Sequence, residues 1–207
     1  MNKKLLSVLI PVWNQEKLVT RALDHLPKRS DMEVVICDDG STDNTLANLL
    51  AYKDANPGLN IRISSNGCNR GLYYTMNRLF DDCNGEYFHQ HNSDDYVDTD
   101  AYNRLIDMLG DMDVLCMDLR INDGSVWELR ESTNHIHCAQ AIRMIRKSFV
   151  FGLKWNENMK AASDYYYNED MLKLNPKIVY SGEVAYMYNY PREGSLVNLR
   201  SRGIIGE

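Results

Sequence analysis

The feature that most constrains the fold is a regular alternation of short apolar runs with segments of helical periodicity. Residues 5–10 form a near-continuous apolar run, residues 33–37 form a second, and apolar side chains at helical spacing follow each of them. Such runs are typical of parallel strands that are covered by helices on both faces. The alternation therefore predicts an α/β protein with a mainly parallel sheet and right-handed crossovers.

The alternation continues through the rest of the chain, although it is less regular in the second half. Further strands are predicted over residues 60–64, 86–90, 113–117, 125–130, 177–180 and 184–188. Further helices are predicted from residue 72 to near residue 85, and over residues 102–109, 139–147 and 164–174. No internal repeat, low-complexity tract or linker divides the sequence, so we expect one domain over residues 1–207.

Composition excludes several classes of protein. No apolar run is long enough to span a bilayer, and the run that Pro11 ends lacks a cleavage site, which argues against a signal peptide. Five cysteines, odd in number and never in a CxxC pair, indicate neither a disulfide framework nor a zinc site and favour a cytoplasmic location. The net charge of −6 argues against nucleic acid as a partner. A soluble cytoplasmic protein is expected.

Polar loops follow three of the predicted strands, at residues 11–14, 38–43 and 92–95. Because the carboxyl ends of parallel strands lie along one edge of a sheet, these loops should converge on one crevice. A turn with a helix cap would explain Gly40 and Ser41, but not two adjacent carboxylates after an apolar strand. Ionised carboxylates are costly to bury unpaired, so the acidic pair in the last loop indicates a bound divalent cation.

Three segments in order, Ser7 to Asn14, Val34 to Thr45 and Gly85 to Asp95, resemble the family 2 glycosyltransferases of the GT-A fold. The resemblance implies a single GT-A domain with a Rossmann-like sheet flanked by helices. It also implies a nucleotide-donor half over about residues 1–110 and an acceptor half over about residues 111–207. The implied activity is that of a hexosyltransferase.

The resemblance places the donor nucleotide against residues of the first half. Pro11, Trp13 and Asp39 are expected to form the nucleoside pocket, with the ring of Trp13 near the base and Asp39 hydrogen-bonded to it. Asn69 and Gly71 belong to a segment similar to the family's Asn-x-Gly-x-x-x-Ala-Arg-Asn motif beside the donor.

Two arginines are candidates for contacts with the diphosphate. Met76 stands where the family often has arginine, and Arg70 is the candidate replacement. The segment around Arg192 is similar to a late family loop in which an arginine closes over the pyrophosphate. Arg192 is therefore included in the predicted donor site.

The acidic loop after the fourth strand resembles the family's Asp-x-Asp motif. Asn92 replaces the first aspartate, and its amide can still hydrogen-bond a ribose or sugar hydroxyl. Ser93 is assigned to the donor site with it. Asp94 matches the position that ligates Mn²⁺ or Mg²⁺ in the family, which makes either ion the expected cofactor. The alternative is that these residues only start the next helix.

Asp164 is the expected catalytic base. The segment around it resembles the family's Glu-Asp segment at a helix start, with Ser163 in the glutamate position. An inverting transfer needs one carboxylate that takes the proton of the acceptor hydroxyl. A helix N-terminal carboxylate stabilised by the helix dipole is the alternative.

The combined prediction is a metal-dependent inverting glycosyltransferase. Its substrates would be a nucleotide diphosphate sugar, UDP-linked, and a hydroxyl of a glycan or another acceptor. Departures from the family pattern at Asn92, Met76 and Ser163 leave a non-catalytic nucleotide-sugar binding protein open, and a nucleotidyltransferase is the third possibility. Neither GxGxxG nor GxxxxGK[ST] is present, which weighs against dehydrogenases and P-loop enzymes.

The histidines carry weaker signals. His135 and His137 suggest a metal site only weakly, because they lack matching distant ligands, and a structural or acceptor-side role is favoured. For His91 the sequence leaves both a site contact and an interior position open. It also leaves open the acceptor and the oligomeric state.

Overall fold

The computed structural model describes residues 5–133, 140–159 and 162–190. Within these ranges nine strands form one sheet: β1 (Leu6–Val12), β2 (Met32–Asp38), β3 (Ile61–Ser65), β4 (Tyr87–Gln90), β5 (Tyr96–Val97), β6 (Val114–Ile121), β7 (Val126–Trp127), β8 (Arg143–Arg146) and β9 (Ile178–Tyr188). The helices are α1 (Val19–Asp24), α2 (Thr45–Ala55), α3 (Leu72–Asp82), α4 (Thr99–Met108) and α5 (Ser163–Lys173).

The strand order is β3-β2-β1-β4-β8-β6-β9-β5, with β7 paired to β6. Strands β1 to β4 are parallel to one another, and β6 pairs with β9 in parallel. β8 runs antiparallel between β4 and β6, and β5 runs antiparallel to β9. The predicted parallel sheet with helical crossovers is therefore confirmed for the first four strands, and the carboxyl ends of these strands share one edge.

The burial of the first two strands explains why the apolar runs over residues 5–10 and 33–37 are nearly continuous. Every residue of β1 and β2 is buried, as expected for strands covered on both faces. The helices bury one stripe each, with Met76 and Leu79 of α3 and Leu105 and Ile106 of α4 inaccessible to solvent. This packing holds the strand ends, and the loops that leave them, in fixed positions.

The helix predicted over residues 139–147 is wrong. Gln140–Ile142 is a single 3₁₀ turn, and Arg143–Arg146 is strand β8. This strand pairs on both sides, with Met144 opposite His89 of β4 and Leu115 of β6. Hydrogen bonds to two neighbouring strands outweigh the weak helical spacing of a short apolar segment.

The strands near the carboxyl terminus also differ from their predicted bounds. The two strands expected over 177–180 and 184–188 are one strand, β9, which passes through Gly182 at a φ of +73°. Its pairing with β6 shifts register near Asp118, so the glycine that reads as a turn lies at an irregularity in the ladder. The strand expected over 125–130 shortens to β7, and β5 was not predicted.

No helix within the described ranges is long and apolar enough to cross a membrane.

Candidate functional site

The loops after β1 and β2 hold each other through side chains. Asn14 adopts a left-handed conformation at φ +51°, and its side-chain oxygen accepts a hydrogen bond of 2.8 Å from the Thr42 backbone N–H. In return, the Asn14 N–H donates to the Ser41 hydroxyl at 2.9 Å. Trp13 directly precedes this turn and keeps 50% of its surface exposed. The indole ring is thus presented on a braced loop, where a flat ligand could stack on it.

Pro11 and Gly40 shape the floor beneath these loops. Pro11 is buried within β1, opposite Cys37 of β2, so it supports the site from below. Gly40 has a φ of +71°, and a Cβ atom there would lie 2.4 Å from the backbone of Cys68. Only glycine allows this close contact between the loops after β2 and β3.

Asp39 is the centre of the site. Its buried carboxylate accepts hydrogen bonds from the backbone N–H groups of Arg70 and Gly71, both at 2.9 Å, and from the side-chain amide of Asn66 at 2.7 Å. A carboxylate offers about four acceptor positions, so about one position remains for a ligand. The prediction that Asp39 binds a base stays a prediction. The structure adds that the same carboxylate shapes the loop after β3.

Asn69 and Gly71 lie in that loop, and their contact with the donor stays a prediction. The Gly71 N–H also donates to the side-chain oxygen of Asn69 at 3.1 Å, and Gly71 has a φ of +92°. Arg70, between them, places its guanidinium 4.2 Å from the centre of the Tyr74 ring. Met76 is fully buried, so position 76 makes no contact with a diphosphate.

The acidic loop after β4 is built around Asp95. Its buried carboxylate accepts hydrogen bonds from the Tyr186 hydroxyl at 2.6 Å, the Asn189 N–H at 2.8 Å and the Asn92 side-chain amide at 2.9 Å. Burial, and then the charge of Asp94, raise the pKa of Asp95 to about 6. Neither Tyr186 of β9 nor Asn189, which directly follows β9, was predicted from the sequence, because residues so distant in the chain give no local signal of such a contact.

Asp94 is half-buried and Ser93 is buried. They follow β4, which pairs in parallel with β1, so their loop leaves the sheet next to the loop that follows β1. In the part of the chain that the structure describes, no group of three or more His, Cys, Asp or Glu side chains is placed to hold a metal ion. Asp95 is almost completely buried among three hydrogen-bond donors, whereas Asp94 is half-buried, so Asp94 is the carboxylate of this loop that a ligand can reach more easily. Mg²⁺ commonly binds through one or two carboxylates together with substrate phosphates. The residues therefore fit a cation that is bound together with a diphosphate.

His89 and His91 lie in the interior beneath this loop. The ring nitrogens of His89 contact the Tyr102 hydroxyl and the Ala141 carbonyl, both at 2.6 Å. Neither ring nitrogen of His91 makes a hydrogen bond of good geometry with a described residue, although the backbone of Ala22 partly offsets the effect of burial on its pKa. Burial lowers the pKa of His89 to about 4 and that of His91 to about 3, so both are neutral at physiological pH. His91 is fully buried and does not reach a substrate.

Asp164 lies in the first turn of α5, half-buried, and makes no hydrogen bond or ion pair with the described residues. The start of this helix is anchored to α3, since the Ser163 N–H donates to the Tyr73 hydroxyl at 3.2 Å. The Ser163 hydroxyl also accepts a hydrogen bond from the Asn156 N–H at 2.7 Å. Ser163, in the family's glutamate position, therefore has a structural role.

A second contact ties α3 to the segment before α5. Asn77 of α3 accepts a hydrogen bond from the Trp155 N–H and donates one to its carbonyl, both at 3.0 Å. Trp155 in turn stacks on Tyr167 of α5, with 4.3 Å between ring centres. The helix that carries Asp164 is thereby held against α3, the helix that follows the loop after β3. Arg192, His135 and His137 lie outside the described residues.

Solved structures share this fold. The chain superimposes on TarS 1–349 from S. aureus in complex with UDP-GlcNAc with a TM-score of 0.77, at 24% identity, over 92% of this chain and 60% of that chain. It superimposes on the mannosyltransferase PcManGT from Pyrobaculum calidifontis, in complex with GDP-Man and Mn²⁺, with a TM-score of 0.74, at 15% identity, over 100% of this chain and 66% of that chain. The fold is of the GT-A type, as the sequence predicted.

The family follows from the sequence comparison. A family model described as Glycosyl transferase family 2 matches residues 7–174, and this protein belongs to that family. Hyaluronan synthase of Pasteurella multocida is 29% identical over 216 residues, which cover 97% of this chain and 22% of that protein. Chondroitin synthase of Escherichia coli is 35% identical over 105 residues, covering 50% of this chain and 15% of that protein. The chain thus spans only a fraction of the length of these relatives.

Proposed function

We propose that this protein transfers a sugar from a UDP-linked donor to a hydroxyl group of a glycan or another acceptor, with inversion at the anomeric carbon and with a divalent cation. The observation that carries the proposal is the arrangement at Asp39. This carboxylate lies where the loops after β1, β2 and β3 meet, and it retains about one free acceptor position. Trp13 exposes half of its surface on the first of these loops.

A uracil base suits this arrangement. Its imide N–H can donate to the remaining acceptor position of Asp39, and its flat ring can stack on Trp13. Asn69, Gly71, Asn92 and Ser93 complete the proposed donor site, together with Arg192 from outside the described residues. The UDP-GlcNAc bound to TarS supports a UDP-linked donor.

The charge of the crevice supports a role for a cation. Its loops carry five acidic residues, Glu16, Asp39, Asp43, Asp94 and Asp95, and Asp38 ends β2 beside them. A diphosphate adds more negative charge and needs a compensating positive group nearby. Bound at Asp94, Mn²⁺ or Mg²⁺ would stabilise the negative charge of the departing diphosphate. The Mn²⁺ in the PcManGT complex supports this assignment. Arg70, whose guanidinium lies over Tyr74, is a second source of positive charge.

Asp164 performs the proton transfer in this proposal. Its carboxylate accepts the proton of the acceptor hydroxyl while the hydroxyl oxygen bonds to the anomeric carbon. The bond from that carbon to the diphosphate oxygen breaks on the opposite face, and the nucleoside diphosphate leaves with the bonding electrons. Residues from about 111 to 207 form the acceptor half in this assignment, and the reaction takes place in the cytoplasm.

The test is release of nucleoside diphosphate. The protein is incubated with Mn²⁺, a panel of nucleotide sugars and a panel of glycan acceptors, and UDP is expected from the UDP-sugar reactions only. Binding of UDP without release under any acceptor condition would instead support a non-catalytic binding protein. That alternative is favoured by Asn92, whose amide points at Asp95 and replaces the first acid of the motif. Release of pyrophosphate would identify a nucleotidyltransferase.

A further inference from the structure

We infer that Asn66 is a positioning residue that orients Asp39 for the recognition of a uracil base. The inference rests on the proposed function, because it concerns the same base pocket. Asn66 directly follows β3, and its own N–H donates to the Asp38 carbonyl at 2.9 Å, which fixes its backbone beside the Asp39 loop.

The side-chain amide of Asn66 forms hydrogen bonds through both its nitrogen and its oxygen. Its nitrogen donates to a carboxylate oxygen of Asp39 at 2.7 Å and to the Thr75 hydroxyl at 2.8 Å. Its oxygen accepts from the Arg78 guanidinium at 2.6 Å and from the Cys37 thiol at 3.4 Å. One amide therefore links the carboxylate of the base pocket to β2 and to two positions on α3.

The partners leave one orientation for this amide. Arg78 can only donate, so the oxygen of Asn66 must face it, and the nitrogen must then face Asp39. A carboxylate at position 66 could accept from Arg78 but could not donate to Asp39. Arg78 is itself fixed by a second hydrogen bond, to the Ser65 carbonyl at 2.9 Å.

The direction of the Asp39 carboxylate decides what it can accept. Asn66 and the Arg70 N–H share one of its oxygens, while the Gly71 N–H binds the other. With these three donors in place, the remaining acceptor position has a fixed direction. An imide N–H of uracil can meet it, whereas the unprotonated ring nitrogen of cytosine is an acceptor and would be repelled. Loss of the Asn66 donor should therefore reduce discrimination between the two bases.

The experiment measures binding of UDP and of CDP by calorimetry in the presence of Mn²⁺. Asn66→Asp keeps the shape of the side chain but removes the donor, and Asn66→Ala removes the donor without adding charge. We expect UDP binding to weaken about tenfold in either variant and CDP binding to change much less. The added charge of Asn66→Asp acts equally on both diphosphates, so the ratio of the two dissociation constants isolates the effect on the base.

Asn60→Asp is the matched control, because the same change falls on an exposed residue just before the opposite end of β3. It should leave both dissociation constants unchanged. Thermal unfolding identifies any variant that fails to fold. If Asn66→Asp fails to fold, the comparison of UDP with CDP is made with Asn66→Ala alone. With active protein, the KM for the donor should rise about tenfold while kcat stays within about twofold.

The two possible failures are distinguishable. If the wild-type protein shows no preference for UDP over CDP, the proposed donor pocket is wrong, and the inference fails with it. If the wild-type protein prefers UDP and both Asn66 variants keep the same ratio, the proposed function stands and the inference is overturned. An equal weakening of both nucleotides would show that Asn66 only supports the loop, which also overturns it.

Discussion

The side-chain amide of Asn92 donates a hydrogen bond of 2.9 Å to the carboxylate of Asp95. From sequence alone, Asn92 is a weakened member of an acidic motif. In the structure Asn92 is the partner of the buried acid Asp95. Burial, together with the charge of Asp94, already raises the pKa of Asp95 to about 6. An aspartate at position 92 would place a second carboxylate against that of Asp95.

The first prediction concerns this contact. Asn92→Asp should lower stability rather than improve metal binding, because two carboxylates would share one buried site. The loss of stability should be larger at about pH 8, where the carboxylates at positions 92 and 95 are both ionised, than at about pH 5. Thermal unfolding at the two values measures it. Asn92→Ala is the control, since it removes the donor without adding charge and should show less pH dependence. Tighter Mn²⁺ binding by Asn92→Asp would contradict the prediction.

The second prediction concerns the buried histidines. The pKa values of His89 and His91 are lowered to about 4 and about 3, below their ordinary value near 6.5. In the unfolded chain both take up protons as the pH falls through about 6.5, whereas in the folded protein they do not until about 4 or below. Their contribution to stability is therefore present above about pH 6.5 and is lost as the pH falls towards 4, by up to about 1.4 kcal/mol per pH unit for each histidine.

Two substitutions separate the histidines. His91→Phe removes ring nitrogens that make no hydrogen bond of good geometry with the described residues, so stability at about pH 7 should be equal to or above that of the wild type, and its pH dependence should flatten. His89→Phe breaks hydrogen bonds to Tyr102 and Ala141 and should destabilise by about 2 kcal/mol. Urea unfolding across the pH range measures both. A strong destabilisation by His91→Phe would contradict the prediction, because it would show that the imidazole of His91 stabilises the folded protein.

The third prediction concerns Asp39. In the wild type, the backbone N–H groups of Arg70 and Gly71 bind the two carboxylate oxygens of Asp39. Asp39→Asn keeps only one oxygen that can accept from them. The loop that carries Arg70 and Gly71 should loosen, and UDP affinity should fall by about tenfold or more. Calorimetry with UDP measures the change. Asp54→Asn on the exposed face of α2 is the matched control. Unchanged UDP affinity would remove Asp39 from the pocket.

The fourth prediction separates chemistry from binding. Asp164→Asn should lower kcat by about 10²- to 10⁴-fold while the affinity for UDP stays the same, because a general base acts on the acceptor hydroxyl. Asp170→Asn, on the same helix and exposed, should retain full activity. Steady-state kinetics measures kcat, and calorimetry measures UDP affinity. Full activity of Asp164→Asn would assign the base elsewhere.

The fifth prediction concerns the cation. Asp94→Ala should abolish the increase in UDP affinity that Mn²⁺ produces, while binding of UDP without metal should change little. Titrations of UDP with Mn²⁺ and with a chelator measure the two cases. Asp111→Ala, at a highly exposed position, is the control. If the variant keeps the response to Mn²⁺, the cation is bound by another group.

The site could be predicted in part because its key residues follow strands. Each of Trp13, Asp39 and Asp94 comes soon after an apolar run, so strand recognition alone places them at one sheet edge. The helix expected over 139–147 shows the limit of such reasoning. That segment is a strand because β4 and β6 lie on either side of it, and neither neighbour is adjacent in sequence.

The sequence by itself determined the alternating sheet, the edge where its polar loops meet and the family to which the chain belongs, because apolar periodicity and short motifs are local properties. The tertiary structure alone decided the partners of the carboxylates. Asp39 is bound by Asn66 and the backbone of the next loop, and Asp95 by Tyr186 of a distant strand. Hydrogen bonds between residues far apart in sequence depend on how the strands are arranged, and no local pattern contains that arrangement.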